Sequence, residues 1–213
     1  MSTEPLQFLR TTAPALFKKG IDALAAKAAG GDARATKTLE GIRSVTGAAY
    51  FVVDGAGEVY LSSKAGEITV GDSAPEGVPV KFAVGFPAEA AEMVLGEVAA
   101  EGAIDDPRVA MGVAQIPNPD LDVMLAGKTL TCHLILEDVP DLGNVTVRIG
   151  LNVNEPPAKP GFTATLKYSD LEDLREGEIN AQQLFMGGKL RMAGDYSVAL
   201  QVGMGMMAKA QQR

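Results

Sequence analysis

The sequence predicts an α+β fold in which helices cover one face of an antiparallel or mixed sheet. Two observations carry this prediction. Apolar residues recur with the period of a helix over residues 5–44, with a break near Gly30 and Gly31. The period then changes to two. Each later strand-like stretch has one apolar and one polar face, which is typical of a sheet covered on one side only.

The first half of the chain contains four predicted strands after these helices. They cover residues 49–55, 58–64, 67–71 and 78–84. In the last of them, alternation predicts one shared face for Val78, Val80, Phe82 and Val84. A helix over residues 87–95 is expected next, because Pro87 is tolerated in a first turn and Gly96 is common just past a helix end.

The second half contains three long predicted strands, over residues 129–137, 144–154 and 162–169, and a short one over residues 189–193. Alternation predicts one apolar face, formed by Leu130, Cys132, Leu134, Leu136, Val145, Val147, Ile149, Leu151, Val153, Phe162, Ala164, Leu166 and Tyr168. A further helix is expected to open with a capping box at residues 169–172 and to end at Gly177.

The two halves show a weak internal similarity. A shift of about 81 residues aligns residues 96–98 with 177–179 and residues 108–111 with 189–192. We interpret the chain as two diverged copies of one unit, with N-terminal helices over 1–46 and repeats over 47–126 and 127–213. The alternative is one mixed sheet whose short-range similarities are accidental.

Composition limits the classes of partner. The formal net charge is −8, which disfavours nucleic acid as a partner and electrostatic docking to anionic membranes. The single cysteine, Cys132, excludes an internal disulfide. The N-terminus lacks a signal-peptide pattern, and no apolar run approaches the ~18 residues of a membrane-spanning helix. We therefore expect a cytoplasmic protein without stable membrane insertion.

The residues that could carry catalysis are few. Cys132 and His133 are neighbours on a predicted strand, so their side chains point to opposite faces and cannot act as a nucleophile and its base. One histidine and one cysteine do not complete a closed zinc site. The sequence therefore predicts no catalytic residue, no metal and no cofactor, although a hydrolase acting on acyl-CoA thioesters stays a weaker alternative.

The C-terminal segment, residues 180–213, is the most distinctive part of the chain. Asn180 and Gln183 predict a capping box on a short helix that ends at Gly187 and Gly188. Asp195 is a natural N-cap for the last helix, whose apolar residues form two stripes: Val198, Val202 and Met206, and Leu200, Met204 and Met207. This predicts burial on several sides. The helix either fills a core or lines a cavity for apolar ligands.

Residues 162–202 resemble the sterol carrier protein type two lipid-binding domains. The similarity lies in the alternating strand, the helix opened by Ser169 and Asp170, and the ordered short motifs at residues 177–180, 188–190 and 194–195. With the preceding strands, it extends over about residues 127–210. Residues 47–111 look like a degenerate second copy, and residues 5–44 look like the helices that precede the first strand of the family.

The resemblance implies a curved five-stranded sheet and a hydrophobic tunnel, closed partly by the terminal helix, that takes fatty acids, fatty acyl-CoA, sterols or related lipids. Family members carry ligands and generally catalyse nothing. The alternative is a non-enzymatic accessory module with a collapsed cavity and a partner protein. Carried over by position, the tunnel-lining candidates are Phe162, Leu166, Leu184, Phe185, Met192, Val198, Leu200, Val202, Met204 and Met206.

Overall fold

The N-terminal helices form as predicted. The computed structural model describes residues 5–91, 93 and 105–211. Two short helical stretches, Pro5–Gln7 and Phe8–Thr12, lead into α1 (Ala13–Ala29), and α2 covers Ala33–Ser44. The chain turns between them at the predicted glycines. Asp32 caps α2, since its carboxylate accepts hydrogen bonds from the backbone N–H groups of Arg34 and Ala35.

One sheet contains all eight strands of the described residues, in the order β3-β2-β1-β4-β6-β5-β7-β8. The strands are β1 (Gly47–Asp54), β2 (Gly57–Lys64), β3 (Glu67–Gly71), β4 (Val80–Pro87), β5 (Leu130–Val139), β6 (Gly143–Leu151), β7 (Phe162–Lys167) and β8 (Arg191–Gly194). The pairs β1–β4 and β5–β7 are parallel, and the other pairs are antiparallel. The predicted α+β class with a mixed sheet is confirmed.

Five further helices are described after β4. They are α3 (Pro107–Ala114), α4 (Pro119–Met124), α5 (Tyr168–Glu176), α6 (Ala181–Met186) and α7 (Ser197–Gln211). Of the helix predicted over residues 87–95, the structure describes a 3₁₀ turn at Ala88–Ala90 with Pro87 at its N-cap, followed by helical residues 91 and 93. The rest of that prediction, including Gly96, lies outside the described residues.

The capping box predicted at residues 169–172 is wrong. Helix α5 begins directly at Tyr168, because β7 runs into it without a loop, and its N-cap Lys167 makes no capping hydrogen bond through its side chain. Asp170 instead accepts a hydrogen bond from Lys189 Nζ at 2.6 Å. The predicted helix end is confirmed, since Gly177 has the left-handed φ of 80° that favours glycine.

The apolar face of the sheet is continuous across its middle. Strand β4 pairs with β6, and this places Phe86 in one buried cluster with Val53, Val84 and Val147. These residues come from β1, β4 and β6, so the first and second halves of the chain share a core. Burial of such side chains is the main stabilising contribution, at about 1.5–3 kcal/mol for each fully buried one.

Three face assignments made from alternation are wrong. Ala48 pairs with Val80 but Ala49 pairs with Phe82, so a β-bulge at Lys81 reverses the side-chain alternation. Val78 and Val80 therefore pack on the opposite face from Phe82 and Val84. Val153 also packs on that opposite face. It lies beyond the end of β6, and the left-handed φ of 53° at Asn152 changes the direction of the chain before it. A left-handed residue breaks strand alternation.

The predicted duplication is not confirmed. Both halves contain an antiparallel hairpin followed by a strand parallel to the first strand of that hairpin, namely β1, β2 and β4, then β5, β6 and β7. Of the stretches aligned by sequence, however, residues 108–111 lie in helix α3, whereas Arg191 and Met192 lie in strand β8. Residues 96–98 lie outside the described part. The boundaries at residues 46 and 126 stay predictions.

Replacing Ser63 with alanine should raise the free energy of unfolding by about 1 kcal/mol, because an unpaired buried hydroxyl costs free energy to desolvate. Ser63 is 7% exposed, and its Oγ has no hydrogen-bond partner among the described residues. Urea unfolding measures the change. Ser44→Ala is the control, since the Ser44 hydroxyl donates to the Gly41 carbonyl at 2.7 Å and its loss should not stabilise. A clear loss of stability in Ser63→Ala would contradict the assignment.

Candidate functional site

An apolar cluster lies between α7 and the C-terminal strands of the sheet. Its buried members are Cys132 from β5 and Phe162 and Ala164 from β7. The residues that pack against them are partly buried: Leu130, Leu134, Ile149, Leu190, Met192, Tyr196 and Ala199. We call this set the α7 cluster. It forms because β5 and β7 are parallel neighbours, in register at Cys132 and Phe162, while β8 and α7 follow on the same side.

A partly open cavity of about 160 Å³ lies at one end of the α7 cluster. It is formed where β5 and β7 begin and where α7 begins. Its apolar lining is Leu130, Phe162, Val198 and Ala199, and its other lining residues are Thr129, Thr131, Gly161 and Asp195. Four of the eight lining residues contribute apolar side chains and the other four contribute polar or backbone groups, so the cavity has an apolar part and a polar part of similar extent.

The N-terminus of α7 is capped by Asp195, as predicted. Its Oδ1 accepts hydrogen bonds from the backbone N–H of Ser197 at 3.2 Å and from the Ser197 hydroxyl at 2.7 Å. The hydrogen bond from the Ser197 hydroxyl and then that from the backbone N–H lower the pKa of Asp195. The carboxylate therefore stays ionised at neutral pH, beside the positive end of the helix dipole.

Helix α7 contacts the rest of the protein on one side. Lys128 Nζ donates to Gln201 Oε1 at 3.2 Å. Gly205 lies against α4, because a Cβ placed there would be 3.0 Å from the sulfur of Met124. A Cβ placed on Gly203 would meet nothing within 4 Å. Glycine at 205 therefore allows the close approach of α4, while Gly203 is not explained by packing.

The prediction that α7 is buried on several sides is wrong. Val198, Val202 and Met206 are partly buried, whereas Leu200 is 40% exposed and Met204 is 59% exposed. The side chain of Met207 lies outside the described part. Among the described elements, α7 packs beside the short helix α4 near the edge of the sheet, and Leu200 and Met204 lie on the side of α7 away from these contacts.

The predicted site residues fall into three groups. Phe162 and Met192 meet in the α7 cluster, and Val198 lines the cavity. Leu166 belongs to a neighbouring cluster around Leu136, which Leu190 links to the α7 cluster, and Leu184 is 2% exposed. Val202 and Met206 are partly buried on α7, whereas the exposed members are Phe185 at 40%, Leu200 and Met204.

Sequence reasoning missed several lining residues. Leu130 and Cys132 were recognised as one apolar face of β5, but that face was not connected to Phe162. The parallel pairing of β5 with β7 makes this connection. Ala199 and Thr129 carry no distinguishing pattern, and Asp195 was predicted as a helix cap and as part of the motif at residues 194–195, but not as a lining residue. The alternation in β5 was the one signal that could have identified part of this wall.

Cys132 and His133 are separated by the sheet, as predicted. Cys132 is 6% exposed in the α7 cluster, and burial raises the pKa of its thiol to about 11. His133 Nε2 lies 2.9 Å from the carbonyl oxygen of Pro157, in the loop after β6. The thiol thus stays protonated at neutral pH and has no contact with the imidazole, which is not the geometry of an activated nucleophile.

The described residues contain no group of three or more histidine, cysteine, aspartate or glutamate side chains placed to hold a metal ion. Asp106 caps α3, and Asp122 forms an ion pair with Lys81 at 3.1 Å. Lys189 forms an ion pair with Asp170 that joins the start of β8 to α5, and the hydrogen bond to that carboxylate raises the pKa of Lys189. These charged groups have structural partners.

A comparison with family models identifies the part of the chain that contains this site. Residues 122–206 match the SCP-2 sterol transfer family. This SCP-2 segment includes the end of α4, β5 to β8, α5, α6 and most of α7. The resemblance stated from the sequence, over about residues 127–210, is thereby confirmed. The cavity lining lies wholly within the SCP-2 segment.

Two solved structures are similar to parts of the chain. Sterol carrier protein 2 from Yarrowia lipolytica in its apo form is 25% identical, over 34% of this chain and 67% of that chain, with a TM-score of 0.27. The sterol carrier protein domain 2 of Helicoverpa armigera is 20% identical, over 45% of this chain and 76% of that chain, with a TM-score of 0.31. No curated protein matches the chain.

Among the helices of the described residues, none combines the length and the apolar character needed to span a membrane.

Replacing Met204 with alanine should change the free energy of unfolding by less than about 0.5 kcal/mol, as is usual for exposed positions. A core methionine would instead cost about 2–5 kcal/mol. The reason is that the Met204 side chain is 59% exposed and leaves little packing to lose. Urea unfolding of the ligand-free protein is the measurement. A loss of 2 kcal/mol or more would show that Met204 is a core residue.

Proposed function

We propose that this protein binds and carries an apolar or amphiphilic ligand, of the class of fatty acids, fatty acyl-CoA, sterols and related lipids, beneath α7. The observation that supports the proposal is the α7 cluster with its partly open cavity, inside the segment that matches the SCP-2 sterol transfer family. In this proposal the helix is the movable wall of the site and the sheet is its fixed wall.

The size of the cavity defines what α7 must do. At about 160 Å³ it is smaller than the ~300 Å³ at which small-molecule sites begin. A lipid chain therefore requires α7 to move away from Phe162 and Ala164. Two features make this motion inexpensive. Gly203 and Gly205 each weaken the helix by about 1 kcal/mol relative to alanine, and Leu200 and Met204 of α7 are already in solvent.

Ligand binding should stabilise the folded protein. Each methylene buried under α7 contributes about 0.8 kcal/mol. A ligand at a hundred times its dissociation constant raises the free energy of unfolding by about 2.7 kcal/mol. Met192 packs in the α7 cluster, and the flexible side chain of a methionine can adapt to ligands of different shape. Met192 and Met206 are partly buried and can serve this purpose.

The test is native mass spectrometry of the purified protein, with and without delipidation, joined to thermal unfolding with added lipids. We expect one bound amphiphile per chain and a higher melting temperature when a ligand is restored. An expressed protein that carries no lipid, and whose melting temperature does not respond to fatty acids, acyl-CoA or sterols, would contradict the proposal.

The second candidate function is a non-enzymatic accessory module that retains the fold and binds a partner protein. The small cavity favours it, as do large apolar side chains in solvent, namely Ile116 at 63%, Val123 at 73% and Met186 at 76% exposure. This candidate predicts no response to any lipid together with retention of a partner protein, so the same experiment separates the two.

We propose that the ligand is carried and not converted. Cys132 and His133 are the single cysteine and the single histidine of the sequence, and they lie on opposite faces of β5, so the thiol and the imidazole are not in contact. Hydrolysis of an acyl-CoA by the protein should therefore not exceed the background rate, and His133→Ala should leave it unchanged. Hydrolysis that disappears in this variant would support a thioesterase instead.

A further inference from the structure

The proposed ligand site has a charged group at its rim. Asp195 is the only ionisable residue among the described side chains that line the cavity, and it lies beside the apolar floor formed by Leu130 and Phe162. Ligands of the proposed class end in different headgroups: fatty acids and acyl-CoA are anions, whereas sterols and long-chain alcohols end in a hydroxyl. Asp195 can therefore discriminate between them.

The start of a helix is normally favourable for an anion. At the start of α7 the carboxylate of Asp195 already occupies the place of such an anion, because Asp195 Oδ1 accepts hydrogen bonds from the Ser197 backbone N–H and hydroxyl. A carboxylate or phosphate placed here would meet a carboxylate at close range without gaining these donors. Like charges near a protein surface repel strongly at about 4 Å.

Three cations on the segments around the site are engaged elsewhere, whereas Lys159, two residues before the lining residue Gly161, is exposed and does not line the cavity. Lys189 forms an ion pair with Asp170, and Arg191 forms one with Glu137. Lys128 donates to Gln201, which lies about one helical turn beyond Ser197 and away from the start of α7. None of these three side chains lines the cavity.

The rim suits a hydroxyl. Both hydrogen bonds to Asp195 use Oδ1, so Oδ2 is available as an acceptor for a ligand O–H. Thr129 adds a hydroxyl that can donate in return. Thr131 is less available, because its Oγ1 already accepts a hydrogen bond from the Gly161 backbone N–H at 2.8 Å.

We infer that Asp195 makes this site selective for uncharged amphiphiles that end in a hydroxyl, over ligands with an anionic headgroup. The inference rests on the proposed function, since it names the ligand class of the same site. It narrows the proposed range to sterols, long-chain alcohols and related neutral lipids, and makes Asp195 the residue that determines specificity.

The experiment is a competition between oleyl alcohol and oleate, which share one chain and differ in the headgroup, measured by native mass spectrometry of the delipidated full chain. We expect the wild-type protein to prefer the alcohol by at least about tenfold, the order of one like-charge contact. Asp195→Asn should reduce this preference to about one. Asparagine also caps helices well, so α7 should persist.

The matched control is Asp141→Asn, which changes the net charge equally. Asp141 lies in the turn between β5 and β6, at the far end of β5 from the cavity, on the order of 30 Å away. This variant should keep the wild-type preference. Equal binding of both ligands by the wild type, a preference for oleate, or an unchanged ratio in Asp195→Asn would each overturn the inference. Binding of neither ligand would overturn the proposed function, and the inference with it.

Discussion

Replacing Phe86 with alanine should lower the free energy of unfolding by about 3–5 kcal/mol, in line with other buried phenylalanines. Phe86 is fully buried, and its cluster joins Val53 and Val84 to Val147 of the SCP-2 segment. Since small domains are stable by about 5–15 kcal/mol, this single change should remove a large part of the total.

The substitution also tests whether the two halves unfold together. Because β4 pairs with β6 and Phe86 of β4 packs with residues of β1 and β6, urea should give one transition, and the whole transition should move in Phe86→Ala. Phe185→Ala is the control, since Phe185 is 40% exposed and should cost far less. Two transitions, with the variant affecting only one, would contradict a shared core.

Replacing Ala199 with phenylalanine should weaken lipid binding by about 100-fold while leaving the ligand-free protein folded. Ala199 lines the cavity and packs in the α7 cluster, so a phenyl ring there occupies the space proposed for the ligand. Excluding about four methylenes from burial costs about 3 kcal/mol, which corresponds to the stated loss of affinity.

The adjacent position supplies the control. Leu200 is 40% exposed, so Leu200→Phe adds a ring of the same kind on α7 outside the cavity and should leave affinity close to the wild-type value. Affinity for oleyl alcohol is measured by titration, and the stability of each apoprotein by urea unfolding. Wild-type affinity in Ala199→Phe would show that lipid binds somewhere else.

Local structure was largely predictable from the sequence. The Asn180–Gln183 capping box forms with both of its hydrogen bonds, at 2.8 and 2.9 Å, because it depends only on residues three positions apart. The alternation of β5 and β7 was also read correctly, since one face of each strand is buried. The same kind of signal at residues 169–172 failed, because β7 continues directly into α5.

The missed features depend on contacts between distant segments. The bulge at Lys81 is visible only in the register between β1 and β4, and nothing in the sequence marks β4 and β6 as neighbours. The exposure of Met204 follows from the place of α7 beside α4, whereas its apolar pattern alone favours burial. The apolar composition of a helix permits burial, but the elements packed against the helix determine which of its side chains are buried.

The candidate site shows the same division. Phe162, Met192 and Val198 were predicted to line a cavity, and the structure places them in or beside the α7 cluster. The second role proposed for Asp195 could not be predicted, because its local sequence indicates a helix cap and no contact with a ligand. The parallel pairing of β5 with β7 brings Leu130 and Phe162 to the same rim and makes that carboxylate part of a site.

The central claim is that a lipid binds between α7 and the sheet. Photocrosslinking with a long-chain alcohol that carries a diazirine near its methyl end tests this most directly, with labelled positions located by peptide mass spectrometry. We expect labelling of Phe162 and of residues 197–206, and its loss in Ala199→Phe. Labelling confined to the opposite face of the sheet, for example at Tyr50 or Tyr60, would contradict the account.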